Sequence, residues 1–298
     1  MTIFLQVVLP VILVFTLGYL VQKWKKVDIK PISTMAIYVM TPCLVFRTFY
    51  LSELNMQYFY MAVLALILLF ALIVINKLYA IISKVSPSTE SGLILSTAFM
   101  NSGNYGAPII LFAYGEVGFA FCVSFMVIQS IIMNVFGVYY AARDKSGMKM
   151  AMKSVLLMPA TYAVIIALSF NILNVQMPDN LMQTVNIIAE GAIPTVMIIL
   201  GMQLALIRFD NFEWGKISYG VLVRLIVSPL IAFATTLIFP LDPLLAKVLI
   251  VSAAMPSAAT IVMYAVQFDS EPRLVSSITL ITTLVSIVTI TVLLTILG

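Results

Sequence analysis

The chain consists almost entirely of apolar runs about 20 residues long, separated by short clusters of charged and turn-forming residues. A helix needs about 20 apolar residues to cross the hydrocarbon core of a bilayer, and in lipid only helices and closed barrels satisfy their own backbone hydrogen bonds. Charged residues make up 9% of the sequence, against about 25% in an ordinary soluble domain. The pattern predicts an all-α polytopic membrane protein.

The apolar runs and the charge clusters between them predict ten membrane spans, numbered here in chain order. Lys and Arg are concentrated in every second loop, and the positive-inside rule then places those loops in the cytoplasm and both termini outside it. The same loops explain an isoelectric point near 9.0 without a nucleic-acid partner. The predicted spans are 3–22, 32–51, 56–82, 91–113, 117–141, 154–173, 181–207, 215–239, 244–267 and 273–297. The basic residues of the cytoplasmic loops are Lys23, Lys25, Lys26, Lys30, Lys77, Lys84, Arg143, Lys145, Lys149, Lys153, Arg208, Lys216 and Arg273.

The prolines inside the spans indicate an internal repeat. Pro10 and Pro42 in spans 1 and 2 correspond to Pro159 and Pro194 in spans 6 and 7, at a separation of about 150 residues that grows slowly along the chain. Each copy has five spans, an odd number, so the second copy enters the membrane from the opposite side. The sequence therefore predicts two inverted five-helix repeats, residues 1–150 and 151–298, as in many secondary transporters.

Polar, helix-breaking residues interrupt spans 4 and 9 at corresponding places. Span 4 contains Asn101-Ser-Gly-Asn-Tyr-Gly-Ala-Pro108, and span 9 contains Pro256-Ser-Ala-Ala-Thr260. Each break leaves a half-helix N-terminus with partial positive charge, so two breaks near the bilayer midplane predict a polar pocket for an anion. The alternative is a kinked helix whose amides only hold neighbouring helices together. The candidate substrate-binding residues are Asn101, Ser102, Asn104, Tyr105, Gly106, Ser257 and Thr260, with Pro108 and Pro256 at the breaks.

Glu190 in span 7 and Arg224 in span 8 are expected near mid-bilayer, where an ionisable residue is a functional candidate. Arg224 could bind a carboxylate substrate and Glu190 could carry a coupling proton; alternatively, the two form a buried ion pair that joins their helices. Gln129 and Gln267 flank the broken spans in the sequence. Their amides could either hold neighbouring helices together or bind a cation or the substrate.

Several function classes are disfavoured by what the chain lacks. It contains no His, no Walker-type phosphate loop and no Cys/His cluster, so we expect neither an enzyme nor a metal or cofactor site. Spans 4 and 9 carry no acidic residue at their breaks, which suits an anion better than direct binding of a divalent cation. Coupling to H⁺ or Na⁺ stays open, because amides, hydroxyls and backbone carbonyls also bind Na⁺.

The residues of span 4 carry a resemblance to a known family. Ser96-Thr-Ala-Phe-Met-Asn-Ser-Gly-Asn-Tyr-Gly-Ala-Pro108, followed by Gly115-Glu-Val-Gly-Phe119, resembles the auxin efflux carrier family, and the resemblance extends over essentially the whole chain. That family is similar in fold to the bile acid:sodium symporters, with ten helices in two inverted repeats and broken, crossing helices 4 and 9.

The resemblance implies a homodimer in the plasma membrane that carries small organic anions by an elevator movement. Spans 1, 2, 6 and 7, which include Pro42 and Pro194, would form a scaffold, and spans 3–5 and 8–10 a moving transport domain. The implied substrates are carboxylates such as malate or malonate in prokaryotic-type members, or auxin-like acids; the short loop between spans 5 and 6 favours the prokaryotic type. The alternatives are a sodium-coupled symporter of the bile-acid type and a membrane sensor with a transporter-like fold.

Overall fold

The computed structural model describes residues 3–52, 55–142, 156–206 and 213–298, and within them the chain is helical, with no β-strand. Glu53 and the basic residues Arg143, Lys145, Lys149, Lys153 and Arg208 lie outside this part. Seven of the described helices are long and apolar enough to cross a membrane. They are α1 (Phe4–Lys25), α2 (Ile29–Leu51), α3 (Met56–Ser83), α5 (Ser102–Ala141), α7 (Asp179–Leu204), α8 (Trp214–Thr236) and α11 (Pro272–Leu297). The predicted class, an all-helical multi-pass membrane protein, is confirmed.

Four shorter helices complete the described fold. They are α4 (Pro87–Ala98), α6 (Pro159–Ile172), α9 (Pro243–Ala253) and α10 (Ala259–Phe268). Predicted span 4 thus divides between α4 and the first part of α5, and predicted span 9 divides between α9 and α10. Each interruption lies a few residues before the segment that the sequence indicated, because α4 and α9 end at Ala98 and Ala253 and the following helices already begin at Ser102 and Ala259.

The second part of predicted span 4 and predicted span 5 join in the single element α5, which turns sharply at Gly115. Gly115 has φ 68° and ψ −166°, a conformation that essentially only glycine adopts without strain. The turn divides α5 into two arms, 102–114 and 116–141, and brings the Cys122 sulfur of the second arm to 3.8 Å from the Ser102 carbonyl oxygen of the first.

The helices pack in two groups. In one group, α1 packs along the second half of α7, while α2 packs against α6 and the first half of α7. In the other, α3, α4, α5, α8, α9, α10 and α11 pack on one another. The groups meet where α5 contacts α2 and α7.

The contact between α1 and α7 depends on two glycines that let the backbones approach closely. A Cβ added to Gly18 would lie 2.2 Å from the Ile198 carbonyl oxygen, and one added to Gly201 would lie 2.0 Å from the Phe15 carbonyl oxygen. Small residues at membrane-helix interfaces permit such approaches, which strengthen van der Waals packing in the absence of a hydrophobic driving force.

Replacing Gly201 by Ala should therefore destabilise the folded protein. The added methyl group collides with backbone, which cannot rotate away, and overpacking of this kind costs about 1–3 kcal/mol. We expect a lower thermal unfolding midpoint for purified Gly201→Ala, measured in detergent by intrinsic fluorescence. The matched control is Gly215→Ala, because a Cβ there meets nothing within 4 Å. Equal midpoints for the two variants would contradict the close packing of α1 on α7.

Candidate binding site

The two helix interruptions pair with each other through their backbones. The Asn101 N–H donates to the Pro256 carbonyl oxygen at 2.8 Å, and the Ala258 N–H donates to the Phe99 carbonyl oxygen at 3.0 Å. Met100 and Ser257 lie opposite each other between these bonds as an isolated antiparallel bridge. Backbone groups released by a broken helix must find partners inside a membrane protein, and here each break supplies partners for the other.

Side chains fix the ends of the half-helices around this bridge. The Asn101 side-chain oxygen accepts a hydrogen bond from the Asn104 N–H at 3.2 Å and thereby caps the start of α5. The Ser257 hydroxyl donates to the Ser96 carbonyl oxygen near the end of α4. The Thr282 hydroxyl of α11 in turn donates to the Ser257 hydroxyl at 3.2 Å. Both breaks are therefore held by specific hydrogen bonds in a buried interior.

A cavity of about 430 Å³ lies beside the paired breaks. This volume falls within the range of about 300–1,000 Å³ that is usual for small-molecule sites. Its polar residues come from the two breaks and from α2, α5 and α10, and its apolar residues include methionines and residues of α2 and α6. The polar residues among those that line it are Tyr38, Thr41, Asn101, Ser102, Asn104, Gln129, Ser130, Asn134, Thr260 and Tyr264.

The electrostatic character of the cavity is set by helix ends. The first residues of α5, Ser102 to Asn104, line it, and so do Ala258 and Thr260 at the start of α10. Each helix N-terminus carries about half a positive charge on its free N–H groups. None of the described residues that line the cavity is charged, so these helix ends are a source of positive potential in its wall.

A hydrogen-bonded pair on the wall of the cavity connects α5 with α10. The Tyr264 hydroxyl donates to the Asn134 side-chain oxygen at 3.0 Å, and the Asn134 amide donates to the Ser130 carbonyl oxygen at 2.8 Å. The sequence analysis placed none of Asn134, Tyr264, Ser130, Tyr38 and Thr41 among the candidate site residues. Ser130 and Asn134, four residues apart, share a helix face with Gln129 beside them, and this polar patch was the available signal.

Five of the predicted site residues line the cavity together: Asn101, Ser102, Asn104, Gln129 and Thr260. The other candidates at the breaks lie behind it. Tyr105 is buried with its hydroxyl 2.9 Å from that of Ser286. Gly106 faces Met255, and Ser257 is fully enclosed. Pro108 is the second residue of the α-helical part of α5, directly after the π-helical turn Ser102–Gly106, and Pro256 lies within the second break.

The remaining candidates are not part of the cavity wall. Glu190 and Gln267 are exposed on α7 and α10, whereas Arg224 is completely buried in α8. Arg224 donates to the Thr97 carbonyl oxygen, the Ser228 hydroxyl and the Ala253 carbonyl oxygen, so it does not pair with Glu190. Of the two prolines that were assigned to the scaffold, Pro42 is half-buried in α2 and Pro194 is exposed on α7.

Comparison with known proteins identifies the class to which this architecture belongs. The family described as "Membrane transport protein" matches residues 3–294. An uncharacterized transporter of Methanocaldococcus jannaschii is 27% identical over 96% of this chain and 96% of its own length. A Rhizobium meliloti protein provisionally assigned as a malonate transporter is 25% identical over 87% of this chain and 84% of its own.

A plant relative agrees over a shorter stretch. Auxin efflux carrier component 2 of Oryza sativa is 26% identical over 40% of this chain, which is 20% of the rice protein. The family match covers nearly the whole chain, and the relatives named are transporters. The chain therefore belongs to the membrane transport protein family, of the auxin efflux carrier type, and is a transporter rather than an enzyme.

Proposed function

We propose that this protein is a secondary active carrier of small organic anions, with carboxylates as its substrates. The observation that carries the proposal is the meeting of two half-helix N-termini at one cavity whose described lining has no charged side chain. The name of the Rhizobium meliloti relative points to malonate for that protein, and the same chemistry suits the present cavity.

The site would bind a carboxylate through neutral donors. Free N–H groups at the starts of α5 and α10 would receive the carboxylate oxygens, and the amides of Asn104 and Gln129 would add hydrogen bonds from the wall. Two helix ends supply about one positive charge in total, which balances one carboxylate. The methionines and Phe99 that also line the cavity would contact the apolar part of a monocarboxylate or the methylene groups of a dicarboxylate.

The proposed architecture is ten membrane passes in two inverted five-helix repeats, with helices that cross at the two breaks. Support comes from the backbone pairing of Met100 with Ser257 and from the matching division of predicted spans 4 and 9 into half-helices. The scaffold would consist of α1, α2, α6 and α7, and the transport domain of the remaining helices, in keeping with the two packing groups. We further propose a homodimer in the plasma membrane, with both termini outside the cytoplasm, that works by an elevator movement.

Substitution of Asn104 by Ala should weaken transport without unfolding the protein. The amide lines the cavity, and a hydrogen bond to a charged group contributes about 1.5–3 kcal/mol, so the apparent KM for the anion should rise about tenfold or more. The measurement is the initial rate of uptake of labelled malonate, malate and an aromatic monocarboxylate into proteoliposomes, with imposed H⁺ or Na⁺ gradients. Gln267→Ala is the matched control, because Gln267 is an exposed amide outside the cavity.

The results separate the carrier from its alternatives. Saturable uptake that Asn104→Ala impairs and Gln267→Ala does not would support the carrier, and the substrate preference would identify the anion class. Equal uptake by both variants would remove Asn104 from the site. Stabilisation by a ligand without any flux would favour the sensor.

A second substitution separates charge from helix capping. Asn101→Asp keeps the oxygen that accepts the Asn104 N–H but introduces a negative charge at the cavity, whereas Asn101→Ala loses the cap, at a cost of about 1 kcal/mol. We expect Asn101→Asp to keep the thermal midpoint close to that of the wild type and to lose most anion uptake. Asn101→Ala should lower the midpoint and keep more uptake than Asn101→Asp. The opposite ranking of the two variants in uptake would argue against an anionic substrate.

A further inference from the structure

Arg224 is an isolated cation in the interior of the helix bundle. It lies in a π-helical turn of α8, Val223–Val227, and its side chain is 0% exposed. None of its hydrogen-bond partners within the described residues is a carboxylate. A buried charge is strongly unfavourable unless nearby groups compensate it, so what surrounds the guanidinium must explain its presence.

Its partners are the C-terminal ends of the two half-helices that precede the breaks. Nη1 donates to the carbonyl oxygen of Thr97, the penultimate residue of α4, at 2.6 Å. Nη2 donates to the carbonyl oxygen of Ala253, the last residue of α9, and to the Ser228 hydroxyl. The Ser228 hydroxyl also donates to the Ala253 carbonyl oxygen at 2.8 Å, whereas the buried Nε of Arg224 has no hydrogen-bond partner among the described residues.

The charges of these groups balance. The last carbonyl groups of a helix have no partner within the helix and carry about half a negative charge together. Two such ends therefore supply about one negative charge, which matches the single positive charge of the guanidinium. In transporters with broken helices, free carbonyl groups at half-helix C-termini coordinate Na⁺. Here they are bound by a side chain of the protein.

We propose that Arg224 is a tethered cation that takes the place of a soluble coupling cation at the helix breaks, so that transport does not require Na⁺. The expected effects on transport rest on the proposed function, whereas the expected effects on thermal stability do not depend on it. Arg224 acts on the substrate indirectly and is a positioning residue. Thr97 precedes Phe99 of the cavity wall by two residues, and neutralisation of the α4 and α9 C-termini leaves the positive N-termini of α5 and α10 to act on the anion.

The first test uses the wild-type protein. Uptake of the best anion found among malonate, malate and the aromatic monocarboxylate should be the same in Na⁺ as in choline medium, and the thermal midpoint should not respond to Na⁺. Coupled binding typically changes affinity by about fivefold or more. A Na⁺-dependent gain of that size in uptake, or a rise in the midpoint specific to Na⁺, would overturn the proposal.

The second test replaces the tethered cation with a soluble one. Arg224→Ala leaves the Thr97 and Ala253 carbonyl oxygens and the Ser228 hydroxyl around a space that matches a guanidinium ion. We expect a midpoint lower by about 5–10 °C, as for removal of one partner from a buried charged arrangement, and a higher KM for the anion. Guanidinium chloride at millimolar concentration, present from solubilisation onward, should restore part of both properties.

Urea is the neutral counterpart of guanidinium in this experiment. It has a similar size and donates hydrogen bonds but has no charge, so restoration by urea equal to that by guanidinium would show that shape, rather than charge, is required. Arg47→Ala is the control for the loss of a different arginine, which is half-buried in α2, and guanidinium should not change the midpoint of this variant.

Two further variants keep the test decisive if Arg224→Ala does not fold. Arg224→Met retains much of the volume, and Arg224→Lys retains the charge, so the proposal expects Arg224→Lys to be the more stable and the more active of the two. If Arg224→Met has the same thermal midpoint and the same uptake as the wild type, the proposal is contradicted. If the wild type transports none of the anions, the proposed function fails, while the guanidinium-specific rise in the midpoint of Arg224→Ala still decides the tethered cation.

Discussion

The fold depends on the rule that every backbone polar group within a bilayer needs a partner inside the protein. A continuous helix satisfies this rule by itself, but the chain interrupts two helices within the bundle and so exposes backbone groups at both places. The Asn101–Pro256 and Ala258–Phe99 hydrogen bonds resolve the conflict, because each interruption completes the other. One break alone would leave its N–H and carbonyl groups without these partners, so the two must be positioned together by the surrounding helices.

Pairing the breaks also sorts the helix ends by charge. The starts of α5 and α10 lie at the cavity, while the ends of α4 and α9 meet at Arg224. Positive helix ends therefore face the space where a small molecule fits, and negative ends face a permanent cation of the protein. In the proposed carrier, this arrangement would attract an anion although the described lining of the cavity has no charged residue.

Much of this could be predicted from the sequence, and the rest follows from contacts that sequence patterns do not record. Apolar runs end where charges and turn residues begin, which is why α3 and α11 lie within a residue of their predicted ranges. The position of the first break was off by a few residues, since the Asn101 cap makes Ser102 and Gly103 part of the next helix. The direction in which the Arg224 side chain points was not predictable from the sequence. Two of its partners are main-chain carbonyl groups, which every residue type has. Tyr264, one of 13 tyrosines, acquires its role only from Asn134, 130 positions earlier.

A cation built into the chain has a consequence for the energetics of a carrier cycle. A soluble coupling ion enters and leaves with the substrate. The loaded carrier and the empty carrier then differ in charge by the sum of the charges of the ion and the substrate. With Arg224 in that place, the balance between the guanidinium and the α4 and α9 ends is the same in both forms, and the two forms differ only by the charge of the anion. The empty cavity then keeps about one positive charge from its helix ends, which the anion neutralises on binding. The free energy for moving the loaded form would thus come from the substrate gradient and the membrane potential, or from a proton that binds elsewhere, without a sodium site at the breaks.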